Sequence, residues 1–207
     1  MMQSNLDFMQ HLIDTGLSKN CIFEFVTNGT QYPAVLDQAH QFRRFVITVS
    51  IDNIGSKFEL ERSGASWELV DQNLTKFVAC QQRNRNVNIG ISVTVNIQNV
   101  LDLPGIIKYL KSKQVKHYYL NLLFEPHWMS LDCLTPAAKN LALETLFRAD
   151  LDSEDRLKLD LIINHLQHIR TSDGTEFCQR MRDLDRIRKE NFAETHKEIA
   201  QAMGYML

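Results

Sequence analysis

Neither sign of charge dominates this chain: 23 lysines and arginines stand against 25 aspartates and glutamates in 207 residues, a formal net charge of −2. That balance removes the long-range field that draws basic proteins to nucleic acid or anionic membranes, so neither is expected as a partner. One local basic cluster, Arg83-Asn84-Arg85, reads as a helix-to-strand connector. Long apolar runs are missing too. The longest, residues 118–124, is interrupted by Asn121 and falls far short of the ~20 residues that span a bilayer. Met1-Met2-Gln3-Ser4-Asn5 has no basic cluster leading into an apolar stretch, so no secretory signal is expected and the location predicted is cytoplasmic. Cysteine is scarce and scattered. Cys21, Cys80, Cys133 and Cys178 include no pair with the close spacing of a metal or redox motif, which predicts reduced, mostly buried thiols. A nucleophile elbow, a phosphate-cradling glycine loop and a His-Glu-x-x-His motif are also absent, which leaves conventional hydrolase or kinase chemistry without support.

What is present is alternation. Residues 4–15 carry Leu6, Met9, Leu12 and Ile13 at helical spacing, ended by Gly16. Residues 21–26 are a β-rich run, Pro33 opens a helical stretch to Phe42, and 45–51 is a second β run. Residues 66–82 read as a helix with Ser66 at its cap and Leu69, Leu74, Phe77 and Val78 on one face. A third β run at 87–97, a helix at 103–111 and a fourth β run at 117–124 follow. After Pro136 the pattern is helical throughout, at 136–148, 154–170, 175–190 and 194–204. Strands separated by helices predict βαβ units with parallel pairing.

Within the strands, Val87, Ile89, Ile91, Val93, Val95 and Ile97 alternate with Asn88, Gly90, Ser92, Thr94 and Asn96. Phe45, Ile47, Val49 and Ile51 likewise oppose Thr48, Ser50 and Asp52. Parallel strands covered on both faces normally read as continuous apolar runs. One apolar face and one small, polar face instead suit the wall of a barrel, with helices outside and a polar cleft inside. The prediction is an α/β fold: a partial (β/α) TIM-like barrel with parallel strands over residues 1–134, followed by an all-helical C-terminal extension over 135–207.

Ligands of parallel α/β sheets bind beyond the carboxyl ends of the strands. Those ends read Thr27-Asn28-Gly29-Thr30, Ser50-Ile51-Asp52-Asn53, Asn96-Ile97-Gln98-Asn99 and Glu125-Pro126-His127-Trp128. Each offers hydrogen-bonding groups suited to a ribose or an adenine edge, and each can equally be an ordinary turn. His127, with Glu125 and Asp132, is a candidate acid–base group or substrate contact at the mouth of the cleft. His165 and His168 stand at i, i+3 on a helix, but no third ligand has suggestive spacing, so no metal site is predicted. Phe177, Met181, Leu184 and Ile187 form a helical stripe that reads as packing on the chain's own domain.

The order of several segments carries a family resemblance. Thr27-Asn28-Gly29-Thr30, Val49-Ser50-Ile51-Asp52, and Phe58-Glu59 leading to Arg62-Ser63-Gly64-Ala65-Ser66-Trp67-Glu68 resemble radical S-adenosylmethionine enzymes of the peptide-modifying branch, which bear SPASM or twitch extensions. Asn73, Val93-Thr94-Val95, Asn99, Leu103-Pro104, Glu125-Pro126-His127-Trp128-Met129-Ser130-Leu131, and Leu184-Asp185 with Arg188 continue the match. The resemblance implies that this chain supplies strands three to six of a six-stranded partial barrel. It implies S-adenosylmethionine and a 4Fe-4S cluster as cofactors, with Asn28, Ser50, Asp52, Arg62 and Asn96 at positions that hold S-adenosylmethionine. Ser50 and Asp52 would take the ribose side, Arg62 the methionine carboxylate, and Asn96 the adenine or ribose. Arg62 has the alternative of a surface ion pair with Glu59 or Glu61. Glu125 and His127 would be substrate contacts, the substrate being a peptide or another molecule.

The departures from that pattern also set expectations. The family's Cys-x3-Cys-x2-Cys triplet and its glycine-rich, glutamate-bearing motif do not occur in these 207 residues, and Asn53 stands where a glycine is usual. Without cysteine thiolates there is no cluster. The expectation is a truncated or split radical S-adenosylmethionine enzyme, inactive alone, whose cluster comes from a missing N-terminal half or a separate chain. The alternative is a non-catalytic, degenerate barrel that binds a nucleoside-like ligand or a peptide.

Overall fold

The computed structural model describes residues 3–205. Its four strands are β1 (Ile22–Thr27), β2 (Arg44–Ser50), β3 (Val87–Val95) and β4 (His117–Leu122). They form one sheet in the order β1-β2-β3-β4. β1 runs parallel to β2 and β2 parallel to β3, with Phe23 opposite Phe45 and Ile47 opposite Ile89. Neighbours in the sheet are thus neighbours in sequence. That is the topology of a β/α-barrel wall, whereas a doubly wound sheet reverses its strand order.

The helices are α1 (Gln3–Asp14), α2 (Gly55–Glu61), α3 (Trp67–Arg83) and α4 (Leu103–Ser112), then α5 (Pro136–Phe147), α6 (Ser153–His168), α7 (Thr175–Arg188), α8 (Phe192–Thr195) and α9 (Lys197–Ala202). Among the described residues no strand follows β4, so the extension is all-helical, as its periodicity predicts. Local chemistry sets the helix starts. Ser66 Oγ accepts from Leu69 N–H at the start of α3 (3.4 Å), and Asp152 Oδ1 accepts from Asp155 N–H at the start of α6 (3.0 Å). Thr135 Oγ1 accepts from Ala138 N–H (3.1 Å), with Pro136 in the first turn of α5.

Three segments differ from the sequence expectation. The run after Pro33 is a 3₁₀ helix, Ala34–Gln41, rather than an α-helix. It has only eight residues between a proline and the entry to β2, where the tighter i→i+3 bonding of Leu36 N–H to Pro33 O fits. The terminal helix is broken at His196 into α8 and α9. α2 was not foreseen. It has seven residues, no side-chain cap at Ile54 and too little length for a legible period.

The chain comprises two compact units, Met1–Ile51 with Ala65–Ser92 and Leu110–Tyr119, and Asp52–Gly64 with Val93–Tyr109 and Leu120–Leu207. The core of the first is aromatic and β-branched. Phe45 stacks on Phe23 (5.4 Å between centroids) and meets Phe25 and Phe42 edge-on, while Ile47, Val49, Ile89, Ile91, Leu74 and Phe77 are fully or almost fully buried. On the opposite strand face Thr48 pairs in register with Gly90 and Ser50 with Ser92, all within the polar set predicted for an inner wall. The second unit packs Phe177, Phe192, Trp128 and Tyr205 ring against ring. No helix among the described residues is long and apolar enough to cross a membrane.

Candidate functional site

In the first unit, the Asn28-Gly29 turn follows β1. Asn28 Oδ1 accepts from both the N–H (3.2 Å) and the hydroxyl (2.8 Å) of Thr30, and Gly29 N–H donates to Thr27 Oγ1 (3.2 Å). Gly29 has φ +76°, and a Cβ there would lie 2.9 Å from Val49 Cγ1 and 3.3 Å from Val70 Cγ1. Buried Asn73 donates its amide to Gly29 O (2.9 Å), fixing the turn from α3. Asn28 therefore shapes a turn. Ser50, the last residue of β2, is half-buried on the polar face.

In the second unit, Asp52 is the hub. One carboxylate oxygen accepts from Thr94 N–H on β3 (2.8 Å), and the other is held by the Arg62 guanidinium (2.5 Å), just past α2. The side chains are 16% and 27% exposed, so this pair is screened less than a surface pair. Arg62 sits over the Phe58 ring, 5.9 Å from its centroid, and its Nε is buried without a hydrogen bond. The ion pair considered with Glu59 or Glu61 is thus formed with Asp52, and Glu61 turns elsewhere.

Asn96 is 5% exposed, and its amide is spent within the loop: Nδ2 donates to Thr94 O (3.2 Å), and Oδ1 accepts from Gln98 N–H (2.8 Å). Asn99, fully buried, ties this loop down. Its amide donates to Asp52 O and to Thr94 O (2.9 Å each), and its oxygen accepts from Asn96 N–H (2.9 Å). The sequence placed Asn99 in a motif without giving it a task; here it locks the ends of two segments together.

A second polar group lies one residue on from Asp52. Asn53, fully buried, donates to Glu61 Oε1 (2.7 Å) and Asp102 Oδ2 (3.0 Å), and Lys57 pairs with Asp102 Oδ1 (2.5 Å). Glu61 Oε1 also stands 3.6 Å from His196 Nε2, with both side chains almost wholly buried. Burial pushes the Glu61 carboxyl above its ordinary range, against the opposing pull of His196 and Asn53. This cluster escaped sequence reading because its members lie far apart along the chain, from Asn53 to His196, and no periodicity connects them.

The remaining candidates are placed apart from one another's side chains. His127 donates its backbone N–H to Glu125 Oε2 (3.1 Å), and both residues are exposed. Asp132 instead meets His165 (Oδ1 to Nε2, 3.1 Å), and the Nδ1 of His168 meets Asn164 O (2.8 Å), so neither the acid–base trio nor the histidine pair is assembled. Among the described residues no three His, Cys, Asp or Glu side chains are grouped to hold a metal ion. The thiols of Cys80, Cys133 and Cys178 are directed at the backbone carbonyls of Leu36, His127 and Met203. Thiols so placed do not fit an iron–sulfur cluster.

No protein-family model matches the sequence, and no curated protein does. Among solved structures, the chain is similar to native anSMEcpe with bound AdoMet and Kp18Cys peptide, with a TM-score of 0.47, 18% identity, and coverage of 69% of this chain and 41% of that one. It is similar as well to native anSMEcpe with AdoMet and Cp18Cys peptide (TM-score 0.45, 18% identity, 69% and 42% coverage). A third is a polyhistidine-tagged anSMEcpe with bound AdoMet (0.46, 16%, 70% and 42%). The chain spans about two fifths of the length of these structures.

Proposed function

We propose that this chain is the nucleoside-binding part of a radical S-adenosylmethionine enzyme of the peptide-modifying, twitch-bearing branch. The observation that carries the reading is the Asp52–Arg62 pair at the carboxyl end of β2. A carboxylate and a guanidinium are held side by side at the strand end where parallel α/β sheets bind ligands, and the guanidinium keeps a buried Nε without a partner. The order of the strand-end motifs in the sequence supports the same family.

The residues present fit the cofactor's polar ends. Each Asp52 oxygen has one protein partner and keeps lone-pair capacity for a ribose hydroxyl. Arg62 has donors left for a carboxylate, which a guanidinium can hold with two parallel bonds. Asn96 acts by shaping the loop beneath them, and Asn99 fixes the backbone that presents Asp52. Held there by Asp52 and Arg62, S-adenosylmethionine would supply radical chemistry for hydrogen-atom removal once a reduced cluster was provided. The four cysteines of this sequence do not provide that cluster, which is assigned to protein outside these 207 residues. The engagement of three thiols with backbone carbonyls favours one further reading, a barrel that binds a nucleoside without turning it over.

Isothermal titration of the purified chain with S-adenosylmethionine tests the proposal. Saturable binding, weakened at least tenfold by Arg62→Met in a variant that still unfolds cooperatively, is the expected result. No binding by the unmodified chain, or equal binding by the variant, overturns it. If adenosine binds as tightly as S-adenosylmethionine, the carboxylate role of Arg62 is wrong and the non-catalytic reading takes its place.

A further inference from the structure

α6 is apolar on two sides. Leu159, Ile162, Ile163 and Leu166 are buried and hold the helix to its own unit. Turned away from them, Leu157 and Leu161 are 71% and 58% exposed. At about 100° per residue these two share a solvent face with exposed Asn164 and His168. Their spacing alternates four and three residues, which is the seam of a coiled coil. Exposed Phe124 meets the His165 ring edge-on (6.5 Å between centroids), so the apolar strip continues past the helix. A helix that packs on one side needs one apolar stripe; a second, facing water, marks a contact surface.

The charges at the two ends of the strip indicate what covers it. Asp150 and Glu154 are exposed at the N-terminal end, His168 and Arg170 at the C-terminal end. Between them Arg156 is held by the carbonyls of Leu146 and Ala149, and Lys158 by Glu154 (3.0 Å). Such a helix complements itself when reversed. A second copy laid antiparallel sets Leu157 against Leu161 and Leu161 against Leu157. It also brings Arg170 of each copy to Asp150 of the other, with the helix dipoles opposed. A parallel copy would place like charges together at both ends. Near the centre the two copies of Asp160 lie side by side and oppose the contact. The helix has 16 residues and is about 24 Å long, so the contact belongs to the small, reversible class.

We propose that the exposed face of α6 is a self-association surface, on which two copies of this chain pair antiparallel about a two-fold axis. An isologous contact of this kind uses one patch twice and closes at the dimer. The proposal is independent of the nucleoside reading, because α6 contributes nothing to the Asp52–Arg62 pair.

Sedimentation equilibrium of the full chain, from low micromolar to millimolar concentration, tests it. A reversible monomer–dimer equilibrium is expected. Leu161→Asp, at an exposed position, should weaken it about tenfold or more. The urea midpoint of that variant, read at the lowest concentration, should stay that of the parent. Asp150→Arg should weaken the dimer about threefold, and adding Arg170→Asp to the same chain should restore it. A chain that stays monomeric across the range overturns the proposal, and so does a dimer indifferent to Leu161→Asp. A double variant that fails to recover overturns the antiparallel pairing, and the proposal with it.

Discussion

His196 Nε2 and Glu61 Oε1 lie 3.6 Å apart, the imidazole with no exposed surface and the carboxylate side chain with 6%. Two titratable groups confined this way make the second unit sensitive to pH through the carboxyl, whose proton affinity burial raises.

The sign of that sensitivity follows from linkage. A carboxyl held above its unfolded value keeps its proton more readily in the folded state, so its contribution is whole below the ordinary glutamate range. It is lost as pH rises through the folded value. Stability is expected to fall with rising pH above about 4.3, with a slope of up to about 1.4 kcal/mol per pH unit. Glu61→Gln should flatten that dependence and, near neutral pH, leave stability equal to or above that of the parent. Urea midpoints from about pH 4 to about pH 8 for both proteins provide the check; parallel curves would contradict it.

Gly29 is expected to resist replacement. Its φ of +76° disfavours any Cβ, and the two valine methyls leave no room for one. Gly29→Ala should cost on the order of 1–3 kcal/mol. Equilibrium unfolding in urea reads it directly, and a change below about 0.5 kcal/mol would show that the turn can shift at little cost.

Asn99 makes three hydrogen bonds from a fully buried side chain. Asn99→Ala leaves Asn96 N–H, Thr94 O and Asp52 O short of partners, a loss of about 2–4 kcal/mol. Asn99→Asp should cost nearly as much, since a carboxylate has no donor for the two carbonyls. Amide hydrogen exchange should quicken first at Asn96 and its neighbours; unchanged protection there would remove Asn99 from the role given to it.

The strands and long helices were legible because they obey short-range rules. Val87, Ile89, Ile91, Val93 and Val95 alternate with smaller or polar residues and are buried in that rhythm, and Ser66 caps α3 as its chemistry suggests. α2 was illegible for the opposite reason. Lacking a cap and a period, it is held by tertiary partners, among them Asn53 on Glu61 and Arg188 on the Leu60 carbonyl (3.3 Å). The same applies to the candidate site. Asp52 stood out at a strand end and Arg62 through the family resemblance, but their mutual pairing, and the burial of Asn96, depend on contacts that only the folded chain brings about. His196 gave no signal at all: one histidine in a polar helical stretch looks the same whether it faces water or is buried against Phe192 and Glu61.

The bond from Thr94 N–H to Asp52 has a consequence for how this molecule can be dissected. Asp52 is both a side chain and a rivet through the main chain of β3, so replacing it loosens the frame along with the functional group. Arg62 grips only other side chains. Trimming it silences one voice at the strand ends and leaves the scaffold standing, which makes the arginine, rather than its partner, the cleaner reporter of anything that docks there.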